Sequence, residues 1–305
     1  MREWSGRVIG SVGRIGATAQ GILLILAGVL LFSTMDALAK HLTQDYHAMQ
    51  VVWARYSGQT VLVALIVVRR LRSVLRTEHP WVQGLRSVMQ FGATSLFFLS
   101  LAHIGLAEAT AIMDLNPVLI TLAAAIFLGE PIGPRRVMGV LVAMAGAMIV
   151  IRPGLGVFQP AALLPLAGAF CYAGFAVATR WIAGRDGVFT SLVYAALLGT
   201  LITSVLQPFV WRPIALGDLW AFLAIGALGA LAQMCLIRAF TQAEAAVLAP
   251  FGYVGLIFAA FWGFAVFREL PDRWTVVGAL VIVAAGLYVW HREAQIARRK
   301  ARGQG

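Results

Sequence analysis

The sequence predicts an all-α integral membrane protein, with ten transmembrane helices in two inverted five-helix repeats. Three observations carry that prediction. Hydrophobic residues make up 60% of the 305 positions and charged residues 12%, with a mean hydropathy of +0.84, which excludes a soluble domain of this length. The apolar runs are continuous rather than alternating, which excludes barrel strands. The chain also repeats itself. Gly105-Leu106-Ala107-Glu108-Ala109 through Leu128-Gly129-Glu130 lines up with Thr241-Gln242-Ala243-Glu244-Ala245 through Phe267-Arg268-Glu269. Met35-Asp36-Ala37-Leu38-Ala39-Lys40 lines up with Phe175-Ala176-Val177-Ala178-Thr179-Arg180, at a similar offset of roughly 140 residues. Five spans is an odd number, so the second repeat enters the bilayer from the opposite side.

Each predicted span approaches the ~20 residues that cross ~30 Å of hydrocarbon. Residues 1–19 carry Arg2, Trp4, Arg7 and Arg14, the composition of a segment lying at an anionic membrane surface. The first span is 20–40. Its approach from Arg14 to Ala37-Leu38-Ala39 has the pattern of a secretory signal. The apolar run is long for one, however, and the span has a repeat partner in the sixth, so it is read as retained. The second span, 48–68, holds Arg55-Tyr56, and the third, 84–103, opens on Leu85-Arg86. The fourth, 108–128, contains Glu108, Asp114 and Pro117. The fifth, 136–151, carries Gly139 and Gly146 and completes repeat 1 (20–152). Spans 160–181, 188–209, 218–238, 245–267 and 273–290 make repeat 2 (160–290). The ninth contains Pro250, Gly252 and Gly255; the tenth carries Gly278 and Gly286 for close helix contact. Residues 291–305 form a basic tail.

The net charge of +11 is topological and does not point to a nucleic-acid partner. With the N-terminus inside, seventeen of the 24 Lys and Arg fall in cytoplasmic segments and five outside (Lys40, Arg152, Arg212, Arg268, Arg273). That bias predicts a bacterial inner-membrane protein with both termini cytoplasmic. Cys171 and Cys235 lie in apolar segments and read as packing residues. The five His show no metal-ligand spacing, so no metal and no cofactor is expected.

Ionisable groups inside hydrocarbon cost ~2.5–3.5 kcal/mol each on insertion scales and need a reason to be there. Asp114 sits in Met113-Asp114-Leu115-Asn116-Pro117. Pro117 lacks an N–H and clashes with the carbonyl of residue 113, and a broken helix at depth belongs against protein or a wet cavity. Asp114 and Asn116 are therefore candidate cavity residues. So is Tyr253, which aligns with Asp114 between the halves and suits stacking or hydrogen bonding. Gln90, Gln233 and Arg86 complete the cavity candidates, the two glutamines lying on repeat-equivalent spans. Asp36 and Arg55 are candidates for an ion pair, and Asp36, Asp114, Glu108 and Glu244 for proton coupling, since burial can tune a carboxyl. Lys40 and Arg180, at matching positions, are candidate gates at opposite mouths. Glu130 and Glu269, each just before a proline, read as loop and helix-cap residues.

These residues resemble the drug/metabolite transporter superfamily, in its ten-span branch with two EamA domains. The resemblance covers roughly 20–290. It rests on Asn116-Pro117 through Leu128-Gly129-Glu130 with Gly139 and Ala145-Gly146, and on Ala249-Pro250-Phe251-Gly252-Tyr253 through Arg268-Glu269. Met35-Asp36-Ala37 to Lys40, Arg55 and Leu85-Arg86 are similar to bacterial uptake carriers assigned to riboflavin or S-adenosylmethionine. One departure is Phe267-Arg268-Glu269, where Leu-Gly-Glu is more usual.

The expectation is a secondary transporter of a small organic metabolite working by alternating access, with riboflavin uptake as the first substrate. S-adenosylmethionine, amino acids and drugs are the alternatives. Its expected partners are that solute and membrane lipids, with a homodimer carried as a further candidate. An intramembrane enzyme is the rival class. The chain has no P-loop, no H-E-x-x-H and no G-x-S-x-G, so no enzyme activity is expected.

Overall fold

A computed structural model of the chain describes residues 2–70, 74–128, 134–152, 159–182, 186–242 and 245–301. In chain order the helices are α1 (Arg2–Leu42), α2 (Ala48–Val67), α3 (Pro80–Leu101), α4 (Leu106–Met113), α5 (Asn116–Leu128), α6 (Pro134–Ile151), α7 (Leu163–Ile182), α8 (Val188–Val210), α9 (Leu219–Gln242), α10 (Ala245–Gly252), α11 (Val254–Phe267) and α12 (Arg273–Ala301). Short 3-10 turns follow α2 and precede α7. Glu130 and Glu244 lie outside the described residues.

Among the described residues, seven segments are long and apolar enough to cross a membrane: 19–42, 106–127, 160–182, 189–210, 219–239, 250–267 and 273–291, with 137–151 a shorter apolar helix. The protein is an integral membrane protein. The two remaining helices, α2 and α3, have the length at 20 and 22 residues. Their polarity sets them apart: α2 carries Gln50, Arg55 and Gln59, and α3 carries Gln83, Arg86 and Gln90. All six side chains are buried, so what lowers the hydropathy of these helices is turned into the bundle.

The packing repeats when the two halves are exchanged. The two most extensive helix contacts are α1 on α9 and α3 on α7, which are images of each other. The pairs α2–α9 and α3–α8, and α1–α11 and α5–α7, match in the same way. The pairs α2–α8 and α6–α12 are each their own image. Glycine permits the α6–α12 crossing. A Cβ at Gly146 would stand 3.0 Å from the Gly278 carbonyl oxygen, and one at Gly278 would stand 2.6 Å from that of Gly146. Small residues let helix backbones approach this closely.

Two spans are broken in the middle. The fourth stops at Asp114, whose N–H still donates to Thr110 at 2.9 Å, and restarts at Asn116 with Pro117 in the first turn of α5. A proline is tolerated there because the first N–H groups of a helix lack intrahelical partners. The ninth breaks at Tyr253, three residues after Pro250. Asp114 and Tyr253 are the residues that the repeat alignment pairs.

Below, the face where α1 begins is the proximal face, and the face where it ends is the distal face.

Candidate functional site

Three buried polar atoms without a hydrogen-bond partner mark the breaks: Oδ2 of Asp114, Oδ1 of Asn116 and Oη of Tyr253. The first two belong to one half and the third to the other. Asp114 and Tyr253 lie within electrostatic reach of each other. Tyr253 reaches this position by lying against Gly286 of α12, where any Cβ would collide with the phenol.

Arg55 is buried on α2. It donates from Nη1 to Thr94 Oγ1 at 2.5 Å and stacks over Tyr56 and Phe98, 5.3 and 5.7 Å from the ring centroids. Its charge also acts on Asp36 of α1. The expected Asp36–Arg55 relationship is therefore electrostatic, while the close partner of Arg55 is a threonine on α3.

The other cavity candidates make contacts of their own. Arg86 donates to Thr179 Oγ1 at 2.8 Å and to the Ser191 carbonyl at 2.9 Å, and lies 4.7 Å from the centroid of Phe175. It thus ties α3 to α7 and α8. The Gln90 carbonyl accepts from the Tyr56 hydroxyl at 3.4 Å. Gln233 lines an apolar cleft with Gln59, Leu62 and Phe189, between α2, α8 and α9. Arg180 is exposed in the last turn of α7 on the proximal face.

A second polar site lies at the distal face. The buried Lys40 ammonium donates to the Ile104 carbonyl at 2.8 Å and meets Glu269 Oε2 at 2.9 Å, 5.3 Å from the Phe267 centroid. Arg268 adopts the left-handed conformation (φ 57) and ends α11. The next N–H, of Glu269, donates to the Gly263 carbonyl at 3.0 Å, which folds the chain back over its own helix. Arg152 also takes positive φ (51) and pairs with Asp272 at 2.8 Å. Asp272 in turn accepts from the Thr275 N–H at 2.8 Å and caps α12. Burial pushes the Asp272 carboxyl up, but the Thr275 and Arg152 contacts outweigh it and hold it below its ordinary 3.8. Glu108, in the first turn of α4, lies within reach of Arg152, Asp272 and Lys40. Glu108, Arg152, Glu269, Asp272 and Thr275 border a pocket of about 230 Å³.

Sequence reasoning found Lys40 but missed Glu269, Arg152 and Asp272. Glu269 lies in the loop between α11 and α12, as expected, and is in addition an ion-pair partner of Lys40. The available signal was charge balance: few basic residues fall on this face, and two acids share one of its loops.

Residues 19–152 and 159–290 each match the model of the EamA-like transporter family. The chain belongs to that family. It is similar to the pseudopaline exporter of Pseudomonas aeruginosa, at 31% identity over 87% of this chain and 94% of that one. It is also similar to a riboflavin transporter of Rhizobium johnstonii (28%; 93% and 95% covered) and an S-adenosylmethionine uptake transporter of Rickettsia bellii (25%; 92% and 96% covered). A crystal structure matches with TM-score 0.61 at 23% identity, covering 92% of this chain and 98% of its own, which establishes a shared fold. This EamA protein is a transporter of small metabolites and not an enzyme, in line with the sequence resemblance.

Proposed function

We propose that this EamA transporter is a secondary carrier with ten membrane crossings and both termini on the cytoplasmic side of a bacterial inner membrane. The two halves present alternate faces of one midplane site. The observation that carries this reading is the pair of helix breaks, each holding a buried polar atom without a partner: Asp114 and Asn116 in one half, Tyr253 in the other. Asp36 and Asp114 are placed to carry a coupling proton. One copy of the chain holds every residue this reading needs, and a homodimer is checked by crosslinking in the same membranes.

The solute read first is riboflavin, moved inward. Its ring N–H and ribityl hydroxyls are donors that suit a carboxylate, an amide oxygen and a phenol, and the relative from Rhizobium johnstonii is named for it. A second reading, an amino-acid-derived cation such as S-adenosylmethionine, is favoured by the carboxylates of Asp36 and Asp114 with one arginine between α1 and α3. Uptake of labelled riboflavin by a bacterium that requires it and lacks its own importer tests the first reading. Saturable uptake and growth at low riboflavin are expected. If there is no uptake with the protein in the membrane, riboflavin is excluded; uptake of labelled S-adenosylmethionine in the same cells would then support the second reading.

A further inference from the structure

We propose that the apolar cleft between α2, α8 and α9 binds one anionic phospholipid, with an acyl chain in the cleft and the headgroup at the arginines beyond its proximal end. The site is on the outer wall of the bundle and does not depend on which solute is carried.

The cleft arises from packing. α2 packs against both α8 and α9, so one helix of repeat 1 meets two of repeat 2. Val63 and Val67 of α2 pack with Val193 of α8. Beside that contact a groove of about 80 Å³ remains, lined on the α9 side by the small Ala230 with Leu231 and Met234. Its surface is almost wholly apolar. Ile66, Phe189 and Leu231 at its rim are exposed. Large apolar side chains exposed together on a membrane bundle face hydrocarbon, so the groove opens to lipid.

Two physical requirements choose the occupant. An unfilled groove forfeits dispersion contacts along its walls, and an apolar one does not hold water. Bilayer hydrocarbon is what lies against it, so an acyl chain fills it. The second requirement is charge. Leu62, Ile66 and Arg69 recur at i, i+4 and i+7 and share one face of the chain, and Arg69 is exposed just past the groove. Leu62 to Arg69 spans ~10 Å along the axis, so a chain lying in the groove brings its headgroup to the level of Arg69. The sequence beyond α2 continues with Arg70, Arg72 and Arg76 before its first acid, Glu78. On α9, Leu231, Met234 and Arg238 repeat the arrangement at i, i+3 and i+7, and Arg238 is exposed at the same end. Basic groups between helices at the end of an apolar groove select an anionic headgroup over a zwitterionic one.

The test uses the full chain in phosphatidylcholine vesicles holding a trace of phosphatidylglycerol with a diazirine in one acyl chain. Photoadducts are mapped by mass spectrometry, and Leu201 and Val205, exposed on α8, serve as the comparison surface. Adducts at Ile66, Leu231 or Met234 are expected severalfold above those at the comparison surface. Excess unlabelled phosphatidylglycerol should remove them, and added phosphatidylcholine should not. Arg69→Gln/Arg238→Gln and, separately, Leu231→Trp, which narrows the groove, are expected to lower the cleft adducts severalfold with the comparison adducts unchanged. Equal labelling of the two surfaces, or equal competition by the two lipids, overturns the proposal. So does undiminished cleft labelling in the double arginine variant. Leu231→Cys that oxidises to a disulfide-linked dimer, with Cys171 and Cys235 replaced by Ala, would assign the cleft to a second copy of the chain and overturn it as well.

Discussion

The Lys40 ammonium and the Glu269 carboxylate meet at 2.9 Å across the boundary between the two halves. Lys40 also satisfies the Ile104 carbonyl, so it joins α1, the α3–α4 connection and the α11–α12 connection at one point. The two partners differ in exposure: the Lys40 side chain is 6% exposed and that of Glu269 is 42% exposed. Lys40→Met removes a buried donor and strands the carbonyl, at about 1–3 kcal/mol. Glu269→Gln loses a partly solvated ion pair, at about 0–1 kcal/mol. Thermal unfolding of the two variants in detergent is expected to rank Lys40→Met as the more damaging. The reverse ranking would remove Lys40 from its joining role.

Gly286 makes room for Tyr253. Gly286→Ala places a methyl against the phenol and is expected to destabilise by about 1–3 kcal/mol through overpacking. Tyr253→Ala in the same chain should recover part of that loss, because neighbouring residues are not additive. Tm values for the two single variants and the double variant give the coupling. Simple additivity would mean that the two residues do not share this space.

Asp114→Asn preserves shape and removes the charge. It is expected to insert normally and to lose uptake driven by an imposed proton gradient. Normal gradient-driven uptake in this variant would take Asp114 out of the coupling role.

The Arg152–Asp272 clasp has a defined acid limit. The folded carboxyl is held below its ordinary 3.8, so its stabilising effect is complete above that value. It disappears as the pH falls through the lower folded value. In Tm measurements across the acid range, the wild type is expected to lose an acid-dependent component that Asp272→Asn lacks. Identical pH profiles would show that the clasp does not contribute.

Much of the fold was legible because hydrocarbon imposes long apolar runs and the two halves spell the same pattern. Both helix breaks were legible from Pro117 and Pro250, since a missing N–H acts locally. The side-chain partners were not. Arg55, read as a partner for Asp36, has its hydrogen bond with Thr94, and Arg86, read as a cavity candidate, has its hydrogen bonds with Thr179 and the Ser191 carbonyl. Such partners depend on helix rotation and on neighbours about a hundred residues away, which periodicity does not encode. The ion pair of Glu269 was not legible because it depends on the left-handed turn at Arg268, a conformation rare for residues other than glycine.

The interrupted fourth span also has an electrical consequence. A continuous helix cancels its main-chain dipoles everywhere except at its ends, whereas a break creates two new ends at depth. The last carbonyls of α4 present partial negative charge and the start of α5 presents partial positive charge, although Pro117 has no N–H and the Val118 and Leu119 amides already donate to the Leu115 carbonyl. This bipolar patch comes from peptide groups and survives side-chain replacement. On the carrier proposal, a site built on it keeps this field when neighbouring side chains are exchanged. A frame of this kind suits a family whose members carry the names of a flavin, a sulfonium metabolite and pseudopaline.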